Sequence, residues 1–455
     1  IILQAKQAKD YYLLIGPPGT GKTNLALKSM VQEYLLTAEA ANRNCETYYH
    51  DNALLITAYT NRAVDEICSM LDNLSQSMSF DYLRIGSEQT TAAVHHSHLL
   101  SVRAHNLPNR KVALSMIQNI PIIVGTVVSL TNAQIIFNKK RFHTAIIDEA
   151  SQLLEPQILG LLSAKVNGEN AIQKFVLIGD HKQLPAVVQL PENQTMVEVK
   201  ELHQIGLFNL RNSLFERLHW LEKNHDRSNF VGLLNHQGRM HSDIAQFVNA
   251  KFYDGKLCVV PLPHQIEKLD WQHTDNIYEQ FVAQTRIGFV RIAQLKNTDN
   301  LCVNIPEASA ITKIIEAICT LHSKNALENF EPAKQIGIIV PFRSQISAIR
   351  NSLRKQGLAC ADTITIDTVE CYQGSQRDYI LYSTTISEPY QVHIISNLQE
   401  IDGNIVDRKL NVALTRARKQ LFIFGNPEIL RHSPLYSDLM SYCRHLDMMS
   451  TSLIE

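Results

Sequence analysis

The octapeptide Gly16-Pro17-Pro18-Gly19-Thr20-Gly21-Lys22-Thr23 restricts this chain more than any other feature, because it matches G-x-x-x-x-G-K-[ST]. With glycine near 7% of residues, four constrained positions recur by chance in about 1–2% of chains this long. The match is meaningful only between a strand and a helix. The apolar run Tyr11–Ile15 precedes it and the helix-forming Asn24-Leu-Ala-Leu-Lys28 follows. Glycines let such a loop turn its backbone N–H groups inward around phosphate oxygens at a helix N-terminus. Lys22 is then expected to neutralise β- and γ-phosphates, and Thr23 to place its hydroxyl on Mg²⁺.

A loop of this kind belongs to an α/β fold, and the rest of the chain agrees. Short apolar runs at Ala53–Thr57, Ile122–Val124, Thr144–Ile147, Phe175–Ile178, Ile336–Val340, Tyr379–Thr384 and Leu421–Phe424 alternate with helical stretches. Continuous apolar runs followed by helices indicate buried parallel strands. The 455 residues are enough for two to four domains. The runs cluster before residue 180 and after 335, with polar stretches Leu190–Leu210 and Cys258–Asn304 between them. We therefore expect two α/β domains, 1–220 and 221–455, with the poorly periodic segment 74–118 as an inserted subdomain or a long surface excursion.

Composition excludes several classes. Lys and Arg total 43 against 44 for Asp and Glu, a net charge of −1, so bulk charge alone cannot hold the chain on nucleic acid. The longest near-uniform apolar stretch, Pro121–Leu130, is far shorter than the ~18 residues of a membrane span, so no membrane partner is expected. The eight cysteines (45, 68, 258, 302, 319, 360, 371 and 443) form no Cys-x-x-Cys pair. That pattern argues against a zinc ribbon or disulfide scaffold, and a reducing, cytoplasmic compartment is expected. His95, His96 and His98 lack a neighbouring Cys or Glu at ligand spacing and are read as a solvated loop. The first residue is Ile rather than Met, from which an upstream region is expected.

Three further motifs carry chemistry. Ala145-Ile-Ile-Asp148-Glu149 is an apolar run ending in two acids, at the strand edge where open α/β sheets bind ligands. Asp148 suits Mg²⁺, and Glu149 suits the attacking water. Gly179-Asp180-His181-Lys182-Gln183-Leu184 repeats the strand-then-polar pattern, and the neutral amide of Gln183 suits a γ-phosphate contact. Asn411-Val-Ala-Leu-Thr415-Arg416-Ala-Arg418 precedes the run Leu421–Phe424 and offers an arginine finger.

The order of these motifs, joined by Thr60-Asn61-Arg62-Ala63-Val64-Asp65, Arg239-Met240-His241, Val340-Pro341-Phe342 and Tyr372-Gln373-Gly374, resembles the superfamily 1 helicases. The resemblance is to the group containing the nonsense-mediated-decay RNA helicase and the lagging-strand nuclease-helicase, and it spans about residues 5–430. It implies two tandem RecA-like domains, ATP between them, and a single strand of DNA or RNA tracked 5′→3′. Carried over by residue, Lys22, Thr23, Asp148, Glu149 and Gln183 act on phosphate, metal and water from the first domain. Arg239 and Arg416 are implied as arginine fingers from the second. Thr60, Asn61, Thr126, Pro341, Arg343 and Thr368 fall where the family contacts the strand.

Departures from the family pattern are few. Gly238 stands where the family has a tyrosine, and a glycine cannot stack on a base. Ser375-Gln376 replaces an Arg-acid pair; Gln376 can still hydrogen-bond a ribose hydroxyl. The adenine-recognition segment that precedes the phosphate loop in the family would lie upstream of Ile1, as would any accessory or nuclease domain. Two other readings stand beside the motor. One is an ATP-switched clamp or remodelling subunit, possible partners included, that unwinds little alone. The other is a P-loop enzyme acting on a small molecule.

Overall fold

The computed structural model describes residues 1–42, 47–293, 301–325 and 330–447, with the side chains of 41, 42 and 228 left aside. The described chain divides into two compact units, Ile1–His181 with Pro185–Asn235, and Lys182–Leu184 with His236–Glu455. The expected boundary at 220/221 would cut the helix Leu214–Asn224. The first unit keeps that helix because Leu214 and Phe215 are buried in its core, and the following strand joins its sheet.

The first unit is one parallel sheet of seven strands. They are β1 (Tyr11–Ile15), β2 (Ala53–Ala58), β3 (Tyr82–Ile85), β4 (Ile122–Thr126), β5 (Phe142–Asp148), β6 (Ile172–Gly179) and β7 (Val231–Leu233). Their order is β3-β4-β2-β5-β6-β1-β7. Both faces are covered, as a parallel sheet requires. Leu13, Leu55, Ile123, Ile147 and Leu177 pack on one face, and Tyr12, Leu14, Ile56, Val124 and Ile178 on the other. Successive residues of a strand point to opposite faces, so each apolar run serves both cores.

Residues 74–118 are not an inserted subdomain. Their segment Tyr82–Ile85 is the edge strand β3, paired in parallel with β4. Arg84 interrupts the apolar run, but it is fully buried and paired with Asp65 of the helix Asn61–Ser75. The histidines that follow are not a solvated loop either. His95 is 2% exposed, with Nδ1 3.0 Å from an Asp72 oxygen. His98 stacks on Tyr82 at 4.0 Å between ring centroids.

The second unit carries a six-stranded parallel sheet: β8 (Ile287–Arg291), β9 (Ile336–Ile339), β10 (Thr365–Asp367), β11 (Arg377–Ser383), β12 (Ala417–Gly425) and β13 (Arg444–Asp447). The order is β10-β9-β11-β12-β8-β13. The segment Cys258–Asn304, expected to be irregular, contains β8, which lies between β12 and β13. Among the described residues no helix is long and apolar enough to cross a membrane. The seven described cysteines carry free thiols, and Cys45 lies outside the described residues.

One histidine makes the second unit sensitive to acid. His322 stacks on Phe330 at 3.6 Å, and its Nε2 is 2.8 Å from the Tyr379 hydroxyl. Burial, reinforced by the positive charge of Lys419, pushes its pKa down to about 4 from 6.5. The unfolded chain therefore binds the proton first, and stability present above pH 6.5 is lost as pH falls towards 4. Thermal unfolding followed across this range should show the loss. His322→Gln, which keeps a hydrogen-bonding amide but cannot titrate, should flatten it; an unchanged slope would assign the loss elsewhere.

Candidate nucleotide site and nucleic-acid edge

All strands of the first sheet run in parallel, so their C-terminal ends share one edge. β1 leads into Gly16, whose N–H donates to Gly179 O at the end of β6 (2.9 Å). Gly19 and Gly21 take left-handed conformations, with φ of 76° and 79°. From Gly21 the chain enters a wide first turn over Lys22–Leu27, in which Ala26 N–H reaches back to Gly21 O (3.0 Å). Wide turns of this type are frequent at functional sites. The buried Thr20 hydroxyl donates to Pro17 O (2.7 Å) and closes the loop, while Pro17 and Pro18 are themselves buried. Gly16 has no room for a side chain, because a Cβ would lie 2.2 Å from the Lys22 stem. That stem folds back so that Nζ donates to Gly16 O (2.8 Å).

Two strands from β1, β5 ends in the acids. Thr23 Oγ1 donates to Asp148 Oδ2 (2.8 Å), and Glu149 Oε1 lies 3.8 Å from Lys22 Nζ. Asp148 is 3% exposed. Burial and the neighbouring Glu149 push its carboxyl up to about 6, against the opposing pull of Lys22 and the Thr23 hydroxyl. Glu149 is held at φ 52°, a left-handed conformation that a non-glycine residue rarely adopts and that recurs at active sites. The strain is stabilised locally: Glu149 N–H donates to Asp148 Oδ1 (2.9 Å), and Gln152 Nε2 to Glu149 Oε2 (3.2 Å). Gly179 lets this turn approach, since a Cβ there would meet Ser151 N at 2.9 Å. A hydroxyl and carboxylate oxygens are hard donors that suit Mg²⁺. The Thr23 hydroxyl and the Asp148 carboxylate meet at 2.8 Å beside Lys22 and Glu149, so the residues fit the expected metal.

Gln183 corrects one expectation. The resemblance places it in the first domain, but Lys182–Leu184 packs with the second unit. Leu184 enters a core with Met240 and Ile244, and Lys182 Nζ lies 3.2 Å from Asp254. Asn411, quoted from the sequence only as part of a longer motif, is fully buried and donates to Lys182 O (2.7 Å) and Tyr253 OH (2.9 Å). Gln183 Oε1 accepts from Arg416 Nη2 (3.1 Å). Arg416 is 1% exposed and also donates to Val412 O (3.0 Å) and Ser375 O (3.2 Å). Arg239 donates to Gln376 Oε1 (2.8 Å) and Thr415 O (3.3 Å). Arg416 and Gln376 thus sit immediately before β12 and β11, joined through Thr415 and Ser375 to one hydrogen-bonded group with Arg239.

The expected strand contacts lie at the C-terminal ends of other strands. Thr60, after β2, caps the helix that starts at Asn61 by accepting from Ala63 N–H (3.2 Å). Thr126, closing β4, caps the next helix by accepting from Ser129 N–H (3.1 Å). In the second unit Pro341 follows β9, Arg343 opens the helix Arg343–Lys355, and Thr368 follows β10. Arg343 is exposed, and Pro341 and Thr368 are half-buried.

A parallel sheet whose first strand feeds a phosphate loop, with the acid-bearing strand two places away, defines a RecA-like P-loop domain; the second unit repeats the parallel plan without the loop. Two family models, each described as an AAA domain, match residues 210–428 and residues 1–114 with 105–190. The DNA replication ATP-dependent helicase/nuclease JHS1 of Arabidopsis thaliana is 30% identical over 97% of this chain and 29% of its own length. Helicase sen1 of Schizosaccharomyces pombe is 29% identical over 77% of this chain and 18% of its own. Regulator of nonsense transcripts 1 of Dictyostelium discoideum is 26% identical over 96% and 31%. A solved structure of Saccharomyces cerevisiae Dbp5 bound to RNA and ADP BeF3 aligns over 98% of this chain and 87% of that one, at 9% identity and a TM-score of 0.45. The chain belongs to the superfamily 1 helicases, in the group of these replication helicase/nucleases, helicase sen1 and regulator of nonsense transcripts 1. It spans under a third of the length of these three curated relatives.

Proposed function

We propose that this chain is the ATP-hydrolysing core of a helicase or translocase on single-stranded nucleic acid, moving 5′→3′ in a reducing, cytoplasmic compartment. The observation that carries the reading is the join of Thr23 to Asp148 at 2.8 Å beside Lys22 and the strained Glu149. Lys22 exchanges Gly16 O for the β- and γ-phosphates of ATP. Thr23 and Asp148 hold Mg²⁺, which supplies charge neutralisation at the transferred phosphoryl group. Glu149 orients water against the γ-phosphorus and takes its proton as the bond to the ADP oxygen breaks. Gln183, Arg239 and Arg416 carry the γ-phosphate roles that the family resemblance implies, a guanidinium charge there being worth about 10³–10⁵ in rate. Thr60, Asn61, Thr126, Pro341, Arg343 and Thr368 grip the sugar-phosphate backbone, which needs no base-reading motif.

Steady-state ATP turnover with no polynucleotide, with single-stranded DNA and with single-stranded RNA tests this reading. Strong stimulation is expected from at least one, and that one names the substrate. Basal turnover that neither polynucleotide stimulates would overturn the motor and favour a small-molecule enzyme. Stimulated turnover without duplex unwinding would favour the ATP-switched clamp. Strand affinity should fall with salt at a log–log slope of about −0.7 per phosphate contacted. A salt-independent affinity would contradict a grip on the backbone.

A further inference from the structure

The expected strand contacts of the second unit stand on a buried polar block that no motif assigns. Ile339 is in register with Asp367 on one side and Tyr382 on the other, so Pro341, Thr368 and Ser383–Thr385 lie side by side at one sheet edge. Under this edge sits Glu307, in the first turn of the helix Ile305–Lys324 and fully buried. It accepts from Ser383 Oγ (2.5 Å) and, through its two oxygens, from Thr385 N–H (2.9 and 3.1 Å). Thr385 is held at φ 61°, a left-handed conformation that is an outlier for a β-branched residue. Such strain persists only where the surroundings over-determine it, and it gathers at working sites.

The same block reaches the helix that Arg343 opens. Gln345 is fully buried; its Nε2 donates to Asn304 O (3.0 Å) and Ser383 Oγ (3.4 Å), and its Oε1 accepts from Asn304 N–H (2.8 Å). Ser344 Oγ adds a bond to Cys302 O (2.9 Å). Contact with water explains none of this, because Glu307, Gln345, Ser383 and Thr384 have no exposure at all. Burial also pushes the Glu307 carboxyl up to about 8, so an amide at that position is its nearest substitute.

We propose that Glu307 and Gln345 are the positioning residues of the second unit's strand-gripping edge, fixing Arg343 and the strained Thr385 turn for the phosphodiester backbone. The proposal rests on the nucleic-acid reading above. The test is fluorescence anisotropy of labelled oligothymidylate and oligouridylate with this chain, alongside its ATP affinity and thermal unfolding. Arg343→Ala should weaken the strand about tenfold, the scale of one charge-assisted contact. Gln345→Met and Glu307→Ala should each weaken it similarly with ATP affinity unchanged, while Glu307→Gln restores binding to within about twofold. Combined with Arg343→Ala, Gln345→Met should add little, because both act through one contact. Should Glu307→Ala fail to fold, Gln345→Met, which leaves Glu307 in place, decides the matter. Wild-type strand affinity in Gln345→Met beside a weakened Arg343→Ala would overturn the proposal and leave the nucleic-acid reading intact. Additive losses in the double variant would also overturn it, by reducing both residues to general stability. A wild type that binds neither oligonucleotide would overturn the reading and the proposal together.

Discussion

Lys22→Ala should lower ATP turnover by about a thousandfold or more, the scale on which a single preorganised charge acts in a transition state. That corresponds to about 4 kcal/mol of barrier. The geometry makes the experiment clean. The Lys22 stem covers Gly16, and Nζ donates to that backbone carbonyl at 2.8 Å and approaches Glu149 at 3.8 Å. Removing it uncovers a loop whose shape is held by other groups: Thr20 on Pro17 O, Gly16 N–H on Gly179 O, and the wide turn from Gly21. Thermal unfolding of the variant should therefore stay near that of the parent. Turnover retained with a folded variant would refute the phosphate-loop assignment.

Glu149→Gln should produce a different defect. Glutamine keeps the length and shape of the side chain and can keep the contact with Gln152, so the left-handed turn observed at φ 52° should survive. What disappears is the proton acceptor. General-base loss typically costs about 10²–10⁴ in rate, whereas the ATP binding proposed for Lys22 and Thr23 should be untouched. The variant should hold ATP without hydrolysing it and bind the single strand more tightly than the parent does under turnover. Rapid-quench measurement of hydrolysis, with filter binding of ATP, separates the two effects. Unchanged steady-state turnover would remove Glu149 from its role.

The sequence displays some of this molecule openly and conceals the rest for identifiable reasons. Tyr11–Ile15 and Ala145–Asp148 are readable because an apolar run leads straight into chemistry. β3 is hidden because Arg84 looks like a surface residue until Asp65, a helix away, neutralises it. β8 is hidden because Ile-Gly-Phe-Val-Arg is short and set in polar surroundings, and only its place between β12 and β13 makes it a core strand. The phosphate-loop and acid residues come together as their order predicts. Gln183 does not stay with the sheet whose strand leads to it, because Leu184 finds its apolar partners among Met240 and Ile244. Local pattern cannot report a choice between two cores. The Glu149 strain was equally invisible, since nothing in Asp-Glu-Ala-Ser-Gln announces a positive φ.

The register of the first sheet has a mechanical consequence. Ala58 is paired with Asp148 on one side and with Thr126 on the other. Asp148, proposed to hold the metal, and Thr126, proposed to touch the strand, are therefore two strand spacings apart, about 10 Å, in a single rung of hydrogen-bonded backbone. A linkage that short has almost no backlash. A displacement at Asp148 would meet no loop on its way to Thr126, because every insertion lies between the strands and not within the rung.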